Sequence, residues 1–197
     1  MKEQEIDCAA FWRTLGEEKT LCRTRVGDVL SQQFRCLRTG AESEFVSFRF
    51  PDWVIVLAET KDGNLVMVRQ FRHGARKVYW EIPGGCIDAS DPDPVAAGLR
   101  ELREETGFTG KNARLLGSVC PNPALQSNLC HVVYLTDAEK TCPPAPEATE
   151  VLDVRLIPCR DVVSMLRDRA IDHGIMMDAM MFYLLEKKWI KEPENDL

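Results

Sequence analysis

The apolar pattern of this chain changes period along its length. Residues 53–59, WVIVLAE, are an almost unbroken apolar run, as expected of a strand buried on both faces. KDGN follows, with the turn pair Asp62-Gly63 at its centre, and LVMVRQFR returns as the expected hairpin partner. VYWEIP reads as a third short strand and runs straight into Gly84-Gly85. The period then becomes helical: Val95, Leu99, Leu102 and Thr106 fall on one stripe. Asp93 suits the N-cap, Pro94 the first helical position and Gly107 the C-terminal stop. Beyond the helix, ARLLGSVC and LCHVVYLT read as strands joined by the loop PNPALQSN. That loop is either a plain surface turn or a wall of a ligand site. TCPPAPEAT is an extended Pro-rich loop, and EVLDVRLIP alternates as a strand. Two helices are expected over 160–169, with Val162, Val163 and Leu166 inward, and over 175–189, with Met176, Met177, Met180 and Met181 as core filler. Strands interleaved with helices make the fold α+β or an α/β sandwich.

Residues 1–50 have a different texture. Strand-like pieces at 20–29, 33–38 and 44–50 are separated by turns at Gly27 and Gly40, and FVSFRF alternates with period two. A small aromatic sheet with open edges is hard to leave bare in water. The expected organisation is therefore a β-unit over 1–50, a main domain over 51–191 and a disordered tail over 192–197. The β-unit is expected to pack on the main domain, on a second subunit, or on both.

Composition narrows the partners. The net charge is −6 with no basic tract, which argues against a nucleic-acid duplex. No apolar run approaches the roughly 18 residues of a membrane span, and the N-terminus has no signal-peptide core. Eight dispersed cysteines without a CxxC pair argue against zinc and for free thiols, so a cytoplasmic location is expected. Cys86, between the glycines and the helix, is the candidate reactive thiol. His131, in mid-strand, is expected to be a hydrogen-bonded core histidine; His73 and His173 carry no signal.

The expected helix has one uncomfortable face. Glu101, Glu104 and Glu105 lie within roughly 100° of one another in its last turns. There the helix dipole disfavours anions, and like charges at i, i+3 and i, i+4 repel. Arg100 and Arg103 flank the cluster rather than separate its members. A solvated charged face is the plain reading. A platform for a hard divalent cation is the sharper one, because oxygen-liganded Mg²⁺ would relieve the repulsion.

Gly85, Arg100, Glu101, Glu104, Glu105 and Gly107 stand as in the Nudix box, and RELREETGF matches its second half in full. The first half departs: the position of the box's isolated glutamate is Asp91, and the distance from it to Arg100 is one residue too long. With VRQFRHGA, WEIPGG and PNPALQSN, the chain resembles the ADP-ribose pyrophosphatase-like branch of the Nudix hydrolases over residues 51–185. The resemblance implies an α/β/α sandwich with a mixed sheet, and a homodimer built through the N-terminal β-unit. It also implies Mg²⁺-dependent hydrolysis (Mn²⁺ as a substitute) of a nucleoside diphosphate linked to another moiety, with ADP-ribose first. The alternatives are a nucleotide-sugar diphosphatase, for instance on GDP-mannose, or a Nudix module that senses a nucleotide without cleaving it. By resemblance Glu101 and Glu105 are the main metal ligands, Glu104 assists, and backbone oxygen of Gly84 or Gly85 completes the shell. Arg100 orients the carboxylates. A general base belongs on the Pro-rich loop, where Glu147 and Glu150 both qualify. Arg72 is the expected diphosphate contact, since a guanidinium grips phosphate at two points. Arg69, Trp80 and Glu81 complete the expected substrate surface, Trp80 either stacking on a base or packing in the core.

Overall fold

A computed structural model describes residues 7–190. The expected tail over 192–197 lies outside them. The described residues divide into two compact units: one holds residues 7–51 and 122–128, the other 52–121 and 129–190.

In the first unit, strands β1 (Trp12–Arg23), β2 (Asp28–Cys36) and β3 (Glu42–Arg49) form an antiparallel sheet in that order. The turns at Gly27 and Gly40 stand as expected, both with positive φ. The strand expected over 20–29 does not: it is broken by a turn in which the Thr24 hydroxyl donates to the Gly27 carbonyl, at 2.6 Å. Strand β1 instead starts at Trp12, ahead of the first strand expected. It is exposed along almost its whole length, so it carries no apolar alternation to reveal it. The loop after Pro121 belongs to this unit, where Leu125 accepts a backbone bond from Phe48 (2.7 Å).

The second unit holds β4 (Trp53–Ala58), β5 (Asn64–Arg72), β6 (Lys77–Glu81), β7 (Gly84–Cys86), α1 (Pro94–Thr106), β8 (Phe108–Val119), β9 (Cys130–Lys140), β10 (Leu152–Pro158), α2 (Cys159–Arg167) and α3 (Gly174–Glu186). A mixed sheet has the order β7-β4-β9-β8, with β4 and β9 parallel; a second, antiparallel sheet has the order β10-β5-β6. The expected β4–β5 hairpin is therefore absent. The turn is real, with Gly63 at φ 73° and its N–H bonded to Thr60. However, β7 and β9 occupy both edges of β4, and β10 and β6 occupy both edges of β5. The two strands meet only in one bridge, Glu59 to Leu65.

Period two then sorts the core into two layers. Val54, Val56, Ala58, Val133 and Leu135 face α1, while Ile55, Leu57, Val132 and Tyr134 face α2 and α3. This is the α/β/α sandwich, with helices on both faces of a mixed sheet. The last two helices are seated by Val162, Met176, Ala179, Met180 and Tyr183, all buried. Val163, Met177 and Met181, expected inside, are exposed, because one face of each helix is enough to cover the sheet. Among the described residues no helix is long and apolar enough to cross a membrane.

Candidate metal and diphosphate site

Helix α1 is built as its ends dictate. The Asp93 carboxylate accepts from the Ala96 N–H (2.8 Å), Pro94 stands at the first turn, and Gly107 closes the helix in the left-handed region at φ 77°. The buried stripe keeps the expected Leu102 and Thr106 but is shifted around the helix. Ala97, Gly98, Leu102, Glu105 and Thr106 are buried, while Val95 and Leu99 are only partly so. Gly98 explains the shift: a Cβ there would stand 3.0 Å from Val56 Cγ2, so the helix lies hard against the sheet along this face. Seven residues on, the same face carries Glu105 inward to 3% exposure.

Glu105 is the electrostatic centre of the site. Its Oε2 accepts from the Gly84 backbone N–H at 3.0 Å. Burial pushes its carboxyl up to about 8; the Gly84 bond works against that shift, and the neighbouring charges of Glu101 and Glu150 reinforce it. Glu101 is also raised, chiefly by burial, in spite of its Arg100 partner. Two carboxyls reluctant to ionise stand side by side, which is the condition a cation would relieve.

Arg100 gathers the remaining acids. Its Nη1 donates to Glu101 (2.9 Å) and Glu104 (3.1 Å), and its Nη2 to the Cys86 carbonyl (3.1 Å). Its Nε and Nη2 also hold both oxygens of Asp91, at 3.1 and 2.8 Å. Thus Asp91, despite its shifted position in the sequence, is the carboxylate that clamps Arg100 from the loop side. The pair holds Asp91 below the ordinary carboxylate range and raises Arg100.

The two glycines have separate reasons. A Cβ on Gly84 would come 2.2 Å from the Val54 carbonyl oxygen, so β7 could not pair with β4. A Cβ on Gly85 would come 2.5 Å from Glu101 Oε1, so that carboxylate rests against bare backbone. Among the described residues no three His, Cys, Asp or Glu side chains are already drawn around one point. Glu101 and Glu104 are turned to Arg100 instead. The donor set nevertheless fits a hard divalent ion: carboxylate oxygens, close backbone, and a buried acid that burial holds toward its neutral form in spite of the Arg72 charge.

The Pro-rich loop is tied to the end of α1. Thr141 and Cys142 donate to the Gly107 carbonyl (2.9 and 3.2 Å), and Ala145 to that of Glu104 (2.7 Å). Glu150 turns its carboxylate back onto the Glu147 N–H at 3.1 Å. The two loop acids act on different neighbours: the charge of Glu150 reaches Glu101, Glu105 and Arg72, and that of Glu147 reaches Cys86. Cys86 is not activated, because burial first, then Glu101, Asp88 and Glu147, push its thiol up. Cys8, Cys22, Cys36, Cys86, Cys130, Cys142 and Cys159 carry free thiols.

On the facing strands, Arg72 Nε and Nη2 grip Glu81 Oε1 and Oε2 at 2.9 and 2.5 Å. Glu81 is 1% exposed, so it supports Arg72 rather than opening to a ligand itself. Burial opposes the charge of Arg72, but the Glu81 pair outweighs it, with help from Glu105 and Glu150. Trp80 packs against the core with Arg69 5.4 Å over its ring, and Arg69 lies 3.9 Å from Asp153. The Ser118 hydroxyl pairs with His131 Nδ1 at 2.7 Å, the hydrogen bond expected, but His131 is partly buried rather than in the core, with its Nε2 3.6 Å from Asp52. Sequence reasoning passed over His173, which lies against Glu81; nothing in its local pattern signals this, since 92 residues of chain separate the two.

Residues 48–180 match the family model described as the NUDIX domain. An ADP-ribose pyrophosphatase of Bacillus subtilis is 29% identical over 184 residues, covering 89% of this chain and 95% of that protein. An ADP-sugar pyrophosphatase of Mus musculus is 33% identical over 123 residues, 60% of this chain and 56% of that one. A crystal structure of an ADP compounds hydrolase shares the fold with a TM-score of 0.78 at 21% identity, covering 91% of this chain and 94% of the other. The box residues on α1, the sandwich that seats them and the domain match lead to one assignment: this chain belongs to the Nudix hydrolase family.

Proposed function

We propose that the chain hydrolyses the diphosphate of a nucleoside diphosphate linked to a second moiety, converting ADP-ribose to AMP and ribose 5-phosphate. The observation that carries this reading is Glu105: a buried acid, beside Glu101, on the Gly84 amide, poised to ionise against a divalent cation. The names of the relatives direct the choice of ADP-ribose. Glu101, Glu104 and Glu105, with backbone of Gly84 or Gly85, would hold Mg²⁺ or Mn²⁺, which neutralises diphosphate charge and acidifies a water when bound. Arg72 presents the guanidinium edge that Glu81 leaves unused to a diphosphate oxygen. Glu150 takes the proton of the attacking water. The new P–O bond forms from that water, the bridging P–O bond breaks, and the phosphate leaves as AMP or ribose 5-phosphate.

Chromatography of products tests this. Incubation with ADP-ribose, other ADP-sugars, GDP-mannose and dinucleoside polyphosphates, with Mg²⁺ or with chelator, should give AMP and ribose 5-phosphate from ADP-ribose fastest, and nothing under chelator. Intact ADP-ribose beside cleaved GDP-mannose would move the substrate to the nucleotide sugars. Tight binding with no cleavage of any of them would make the chain a sensor.

The glycines offer a second test. Gly84→Ala should lower stability by about 1–3 kcal/mol, because its Cβ meets backbone that cannot yield. Gly85→Ala should melt near the wild type, because the atom it meets is the end of a flexible side chain, yet lose most activity as Glu101 is displaced. Thermal melts and initial rates read both. An active Gly85→Ala enzyme would contradict the placement of Glu101.

A further inference from the structure

His173 precedes α3 as its N-cap residue, yet its side chain makes no capping bond. The ring turns toward β6 instead. Its Nδ1 lies 3.3 Å from Glu81 Oε1, and its ring centre is 5.5 Å from that of Tyr79. This nitrogen is shielded from solvent and makes no well-directed hydrogen bond to any described residue. Among the described residues, Glu81 and Tyr79 lie against its ring, and beyond them Lys77 pairs with Asp172 and stands 4.9 Å over the Tyr79 ring. Glu81 is almost fully buried. Burial raises its carboxyl, His173 and Arg72 pull it down, and the pull prevails.

The arrangement has a directional logic. Arg72 spends Nε and one N–H of Nη2 on Glu81, which fixes the plane of its guanidinium and leaves Nη1 for another acceptor. A long side chain held this way loses less freedom on meeting an anion. A buried carboxylate whose single cationic partner is drawn toward a ligand would be left poorly compensated. His173 stands on the other side of that carboxylate and does not depend on the ligand.

We propose that His173 is a positioning residue for diphosphate recognition: it holds Glu81 from behind, and Glu81 presents Arg72 to the ligand. This rests on the assignment of Arg72 to the diphosphate. It adds a residue from the start of α3, far in sequence from the box, to the determinants of substrate affinity.

Steady-state kinetics with ADP-ribose and Mg²⁺ on three variants test the inference. His173→Phe keeps the ring and removes Nδ1, the polar atom 3.3 Å from Glu81; KM should rise about tenfold, the scale of leaving a buried charged group short of a polar neighbour, with kcat close to wild type. His173→Asn puts an amide donor where Nδ1 was and should restore most of the affinity. A void or a loosened helix would not be repaired in this way. Arg72→Ala should raise KM at least as much as His173→Phe. If Arg72→Ala leaves KM unchanged, the assignment of Arg72 fails and the inference falls with it. If Arg72→Ala raises KM and His173→Phe does not, or if Asn is as poor as Phe, the inference alone is overturned. Should the Phe variant not fold, His173→Leu makes the same comparison.

Discussion

Glu105→Gln should lower the turnover of ADP-ribose by about 10³-fold or more, the scale of losing a principal charge at a phosphoryl-transfer centre. The same variant should be at least as stable as the wild type in chelator at alkaline pH. The sign follows from proton binding. The folded-state pKa of Glu105, about 8, lies above the ordinary 4.5, so the folded chain holds a proton that the unfolded chain releases over that window. Its contribution to metal-free stability is therefore full below about pH 4.5 and lost as pH rises toward 8. Gln removes this loss. Melting curves of both proteins in chelator should converge near pH 5 and separate near pH 8, with the variant higher. Mg²⁺ should raise the wild-type curve at pH 8 and leave the variant almost unmoved, because binding to the folded state alone adds stability. A variant that turns over normally, or that melts below the wild type in chelator at pH 8, would remove Glu105 from the metal platform.

Glu150→Gln should cost about 10²–10⁴-fold in kcat with little change in metal affinity, as expected for loss of a general base. Glu147→Gln should cost far less. The two acids are three residues apart on one loop, and sequence offered no way to choose between them. We base the choice of Glu150 on the charges it lies near: Glu150 acts on Glu101, Glu105 and Arg72, and Glu147 on Cys86. In the resting arrangement Glu150 caps the Glu147 amide, so it must leave that bond to reach a water. Loops of this kind supply such motion on substrate closure. Rates for the two variants at saturating Mg²⁺ decide the matter; equal losses, or a larger loss at Glu147, would reverse the assignment.

How much of this was legible follows from what each feature depends on. The ends of α1 were readable because caps are local chemistry: Asp93, Pro94 and Gly107 each act within a turn of themselves. The burial of Glu105 was not, since its neighbours in sequence are acids and it reads as part of a solvated face. A signal existed in Gly98, which sits two turns earlier on the same face and brings the helix close to Val56. Asp62-Gly63 announced a turn correctly but not which strands would pair. That choice depends on β9 and β10, which lie far along the chain. Asp91 was in doubt from its spacing alone; the loop absorbs the extra residue and still delivers the carboxylate to Arg100. The contact of His173 with Glu81 arises when α3 folds back toward β6, and no local pattern encodes it.

The central claim is that Glu105, sunk against the Gly84 amide, is the core of a divalent-cation platform. Titration of wild type and Glu105→Gln with Mn²⁺, followed by electron paramagnetic resonance of the free ion, tests it without relying on any substrate. The account predicts saturable binding by the wild type, weakened by more than about tenfold in a variant that remains folded. Equal Mn²⁺ affinity in the two proteins would contradict it.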